Sequence, residues 1–218
     1  MNNEEIIAST INFVKETLAN AEGGHDWWHI YRVWNSAKQI AKSEKVDLLI
    51  VEIGALLHDI ADSKFNNGNE FIGPKIARDF LQSKKLDEAT ILHIINIIEN
   101  ISFKGGKEIQ KFNSLELDVI QDADRLDAIG AIGIARTFNY GGFKNRELFN
   151  PDIPPNLEMT KEEYKNSTAP TINHFYEKLF LLKDRMNTEP GKKMATERHK
   201  FMEEYLKQFY KEWEGVSL

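Results

Sequence analysis

Apolar positions recur at i, i+3, i+4 and i+7 through most of the chain, the period of an amphipathic helix, and no stretch alternates apolar and polar residues long enough to build a sheet. The pattern predicts an all-α protein. A first helix is expected from about Asn3 to Leu18, carried by Ile6, Ile7, Ile11, Phe13, Val14 and Leu18, with Gly23-Gly24 marking its exit. A second begins near His25, lines up Ile30, Val33, Trp34, Ala37, Ile40 and Ala41 on one buried stripe, and ends in the polar turn Lys42 to Lys45. The third, about Asp47 to Ile60, is apolar on nearly every side, which places it at the centre of a bundle.

Beyond it, Asn66 to Asn69 read as a loop, Pro74 to Leu81 and Asp87 to Ile101 as two helices, and Gly105-Gly106 as a break. One long helix is expected from about Leu115 to Phe138. The segment Gly141 to Pro170 then holds four of the six prolines and reads as an ordered loop over a site. At its head, the turn Tyr140-Gly141-Gly142-Phe143 is a candidate base-stacking lid. Two amphipathic helices, about Thr171 to Met186 and Lys192 to Trp213, close the chain, and their stripe of Phe175, Phe201, Tyr205 and Phe209 is expected to pack inward.

Composition narrows the class. With 218 residues, 41% apolar and 28% charged, the chain can bury a core and is expected to form one domain over 1–218. It has no cysteine, so any metal must sit on His, Asp or Glu. No apolar run approaches the roughly 20 residues of a membrane span, and the start Met-Asn-Asn-Glu-Glu lacks the features of a signal peptide. A cytoplasmic protein without a membrane partner is the expectation. The formal charge of -6 argues against a nucleic-acid polymer as partner but leaves room for a local basic cleft.

The chemistry concentrates in three helices. His58-Asp59 ends the most apolar helix, where a buried carboxylate demands a cation or a hydrogen-bond partner, although the pair alone also fits a helix end. His29 has His25 four residues before it and Arg32 three after, which lines three polar groups along one edge of an apolar helix. Asp124 has Ile120, Ala128 and Ala131 at i−4, i+4 and i+7, a core-facing stripe that Asp127 shares and from which Asp122 is expected to point away. Together His29, His58, Asp59 and Asp124 make a hard N/O set suited to Mn²⁺, Mg²⁺, Fe²⁺, Co²⁺ or Ni²⁺, with at least one open position.

The order His25-Asp26-Trp-Trp-His29-Ile-Tyr-Arg32, Leu-Leu-His58-Asp59-Ile-Ala-Asp62, Asp122-Ala-Asp124-Arg125-Leu126-Asp127 resembles the HD-domain phosphohydrolase superfamily over about Glu22 to Arg136. The run Asp-Ala-Asp-Arg-Leu-Asp-Ala-Ile-Gly-Ala-Ile-Gly looks like its small stand-alone bacterial YpgQ-like group. The resemblance implies an HD-domain helical bundle, with the metal-binding region over about 22–138 and a loop and C-terminal helices over 139–218. It makes His29, His58, Asp59 and Asp124 the ligands of one divalent ion, Mn²⁺ favoured, and Asp62 the group that orients or activates water. His93, the one histidine between the His-Asp pair and Asp124, is then a supporting or substrate group.

The resemblance further implies pyrophosphohydrolysis of nucleoside triphosphates, a small-molecule substrate. His25 is a candidate proton donor or phosphate ligand. Arg32, Lys64, Lys104, Arg125 and Arg136 are candidate phosphate clamps, and Asp127 joins them at the substrate. Lys104-Gly105-Gly106-Lys107 lacks the spacing of a Walker loop. The alternatives are a nucleoside 5′-monophosphatase, a cyclic-nucleotide phosphodiesterase or a nucleotide-sensing module; a homodimer is compatible with each.

Overall fold

In the computed structural model, the residues described are 1–19, 21, 25–60, 72–101 and 110–216, the side chains of Lys161 and Lys165 excepted. Asp62, Lys64, Lys104, the Asn66 to Asn69 loop and the glycine pairs at 23–24 and 105–106 lie outside them. The described residues are helical and contain no strand. The helices are α1 (Asn3–Thr17), α2 (Trp27–Ala41), α3 (Leu48–Leu57), α4 (Ile72–Ser83), α5 (Glu88–Asn100), α6 (Leu115–Asp127), α7 (Gly130–Phe143), α8 (Lys161–Asn166), α9 (Asn173–Glu177) and α10 (Glu189–Trp213). None is long and apolar enough to cross a membrane. Two compact units divide within α6, Met1–Asp124 and Arg125–Leu218.

The first unit is built around α3, which packs against α1, α2 and α5. Every residue from Ile50 to Leu57 is buried, as the all-round apolar pattern predicts. Asp47 starts the helix by accepting hydrogen bonds from the Leu49 and Ile50 amides, satisfying donors that the first turn leaves open. Gly54 lets neighbours approach closely: a Cβ there would lie 2.7 Å from Ile120 Cδ1. Three contacts set the direction of α6 along α3. The Asp47 amide donates to Glu116 at 3.0 Å, Gly54 faces Ile120, and His58 faces Asp124. The two helices therefore run the same way, and the C-terminal end of α3 meets the C-terminal half of α6.

Asp122, expected to lie off the Asp124 stripe, is fully buried, as are Leu117, Val119, Ile120, Gln121, Ala123, Leu126 and Asp127. A single-stripe reading assumes one wet face, and α6 has little of one.

In the second unit α10 packs against α7 and against the 3₁₀ segment Leu179–Arg185. The expected helix 115–138 is broken between α6 and α7. Gly130 sits at φ +75°, outside the α region, and a Cβ there would meet the Arg198 side chain at 2.9 Å. At the other end α7 runs on to Phe143, so Tyr140-Gly141-Gly142-Phe143 is helical and not a turn. The proline-rich segment contains α8, capped by Thr160 and Glu163. The expected helix from Thr171 to Met186 is split into α9 and the 3₁₀ segment.

Of the aromatic stripe, Phe175 is fully buried and stacks on Tyr205 at 6.1 Å, and Phe209 packs with Tyr205 and Trp213. Phe201 does not follow. It is 48% exposed, at the rim of a surface depression lined also by Ile132 and Arg198.

Candidate metal centre

The site forms at the end of α3 because helices place side chains by period and caps fix where the period starts. Asp26 is the cap of α2, and its carboxylate accepts the His29 amide at 3.0 Å. That bond sets His29 in the first turn, where it is buried with its ring against that of His58, centroids 5.3 Å apart. His58 occupies the C-cap of α3 and is buried. Its Nδ1 donates to the Ala55 carbonyl at 2.8 Å, which leaves Nε2 as the lone-pair nitrogen. That Nε2 is buried and has no hydrogen-bond partner.

Asp124 Oδ1 stands 3.5 Å from His29 Nε2 and 3.9 Å from His58 Nε2, with its side chain 40% exposed. Asp59 completes the group: one donor atom from each of His29, His58 and Asp59 lies within 4.8 Å of the others. Donors bound to one ion at about 2.1 Å sit roughly 3–4 Å apart. The set fits a divalent cation on two grounds. The orphaned His58 nitrogen lacks the partner that a buried polar atom requires, and two imidazoles with two carboxylates are the ligands such ions take.

His25 supports Asp59, its Nδ1 donating to Oδ2 at 2.6 Å. Burial pushes the Asp59 carboxyl up. The bond from His25, with the electrostatic pull of the nearby His58, His25 and His29 imidazoles, outweighs burial and holds it below the usual carboxylate range. An ionised Asp59 is the form a cation needs.

The other sequence candidates are placed differently. Arg32 is half-buried on α2, one turn beyond His29. His93 lies 3.0 Å from Ser114 Oγ and 3.4 Å from Glu116 Oε2. Glu116 precedes Asp124 by about 12 Å along α6, so His93 stands at the far end of the helix from the cluster. In the second unit, Asp127 is buried and paired with Arg136, so these two residues expected at the substrate engage each other. Arg125 donates to the Arg185 carbonyl at 2.7 Å.

Two contributors were given no role by motif reading. Asp26 stands in the motif run, and its role was within reach as an N-cap residue just before an apolar run. The Ala55 carbonyl was not, because a backbone atom leaves no trace in residue identity.

The fold agrees with the comparisons. The HD-domain family model matches residues 27–129. YpgQ of Bacillus subtilis (strain 168) is 36% identical over 206 residues, covering 94% of this chain and 92% of that protein. The chain belongs to the HD-domain family, and the class it falls in is the metal-dependent phosphohydrolases. An HD-superfamily hydrolase from Bacillus thuringiensis is similar in crystal structure, with TM-score 0.80 and 43% identity, covering 98% of this chain and 99% of that one. The crystal structure of B. subtilis YpgQ in complex with ADP is similar at TM-score 0.76 and 33% identity, covering 97% of each chain.

Proposed function

We propose that this protein hydrolyses nucleoside or deoxynucleoside triphosphates to the monophosphate and pyrophosphate, using one divalent ion, Mn²⁺ in preference to Mg²⁺, Co²⁺, Ni²⁺ or Fe²⁺. The observation that carries the reading is the convergence of His29, His58, Asp59 and Asp124 around an unpartnered buried imidazole nitrogen. The ADP held by YpgQ supports a nucleotide as ligand. A divalent ion held by these four residues would acidify a bound water and polarise a phosphoryl oxygen.

The chain's own groups supply the rest. Asp62 accepts a proton from the attacking water as its oxygen bonds to the α-phosphorus and the bridging bond to the β-phosphate breaks. His25 holds Asp59 in place through Nδ1 and would serve the phosphates as a proton donor or ligand. Arg32, with Lys64 and Lys104, offsets the charge of the polyphosphate.

The test is turnover of a nucleotide panel by metal-stripped protein with each ion restored, with products separated. Pyrophosphate release from triphosphates, abolished in His58→Ala and Asp124→Ala, supports the reading. Inorganic phosphate from monophosphates, or a linear product from a cyclic nucleotide, replaces the substrate. Metal binding with no turnover of any of them overturns hydrolysis in favour of nucleotide sensing.

A further inference from the structure

Helix α2 divides its faces unequally. Ile30, Val33, Ala37 and Ile40 are fully buried, while Trp28 is 60% and Tyr31 42% exposed. Neighbouring aromatics on the same helix are covered: Lys15 lies over Trp27 at 4.8 Å and Lys38 over Trp34 at 3.6 Å, and the Trp34 indole donates to Glu52 at 2.8 Å. Trp28 meets Tyr31 at 5.9 Å and 82°, an edge-to-face corner; Tyr31 also packs against Trp27 at 6.0 Å and Trp34 at 6.3 Å, so Trp28, 60% exposed, is its open side.

We infer that this corner is a stacking platform for the base of a nucleotide whose phosphates lie at the metal centre, an inference that rests on the nucleotide reading above. Position argues for this occupant. Trp28 directly precedes His29, and Arg32, four residues on, shares its edge of the helix. A planar base joined to a polyphosphate is the ligand that uses an aromatic corner, a cation and a metal cluster on one helix at once. A rival platform, Tyr140 with Phe143 on α7, carries its own cations, Lys144 over both rings and Arg146 over Tyr140.

The experiment is calorimetric titration of the Mn²⁺-loaded full chain with ADP and, separately, with pyrophosphate, which has the phosphates and no base. Trp28→Ala should weaken ADP about five- to a hundredfold, the range of one aromatic stacking contact, and leave pyrophosphate unmoved. Trp28→Phe should restore most of the ADP affinity. Unchanged ADP affinity in Trp28→Ala overturns the platform while hydrolysis stands, since hydrolysis is judged on turnover. Equal weakening of both ligands also overturns it, as damage to the metal centre. A parent protein that binds pyrophosphate but not ADP removes both the platform and the nucleotide reading. Dissociation of a dimer by Trp28→Ala in sedimentation, with ADP binding unmoved, gives the corner to a second copy of the chain and overturns the proposal.

Discussion

An imidazole has two nitrogens, and what one does decides what the other can do. At His58 the Nδ1–H donates to the Ala55 carbonyl, so the buried Nε2 is committed to accepting or to binding a cation. At His25 the same nitrogen is given to Asp59, which places that ring behind a carboxylate of the cluster rather than among the proposed ligands. Substitutions should separate the two roles. His58→Ala is expected to abolish specific Mn²⁺ binding by calorimetry, whereas His25→Ala should weaken it about 10- to 100-fold, the usual cost of losing a group that orients a ligand. Equal losses in the two variants would make His25 a ligand itself. The four clustered side chains were legible because helical spacing and burial cost single out polar groups on apolar helices. His93 stood out by the same rule, yet the structure ties it to Ser114 and Glu116 instead. Spacing tells which face a residue occupies and is silent on which end of the bundle it reaches.

Secondary structure was read best where the cap residue was itself taken as the start, as at Asp47 and Asp87. Asp26 and Thr188 cap their helices too, yet the expected starts fell at about His25 and Lys192 rather than at Trp27 and Glu189. Secondary structure was read worst at the α6–α7 junction, where the apolar pattern continues across the break between the helices and Gly130 alone signals the turn. Gly130→Ala should destabilise the fold by about 1–2 kcal/mol from the positive φ, and more if Arg198 cannot yield to the new methyl. Denaturant midpoints would measure it, and a variant as stable as the parent would show that the backbone can relax. Asp26→Ala tests a cap with a ligand attached. The expected loss of stability is about 1 kcal/mol, with a fall in Mn²⁺ affinity because His29 loses the bond that seats its turn. A stability loss with metal affinity unchanged would confine Asp26 to capping.

For the molecule as a whole, stability should depend on both metal and pH. Ligands that bind only the folded state stabilise it by about 2.7 kcal/mol at a hundred times the dissociation constant, so stripping the metal should lower the melting temperature of the parent and not that of His58→Ala. The acid limb has a separate source in the second unit. Burial, with Lys178 and Arg146 nearby, pushes His174 down to about 3, and its Nδ1 accepts the Tyr164 hydroxyl at 3.0 Å, as a neutral ring requires. Above the unfolded value of about 6.5 neither state takes a proton there and the group adds no pH dependence. Below it the unfolded chain binds a proton that the folded one refuses, so stability is lost progressively as pH falls from about 6.5 toward 3. His174→Gln keeps an acceptor for Tyr164 and removes the titration. The parent should therefore lose more stability than the variant between pH 7 and pH 4 in matched denaturant titrations. Parallel losses would mean that His174 is protonated in the folded protein and that the acid limb belongs to the carboxylates.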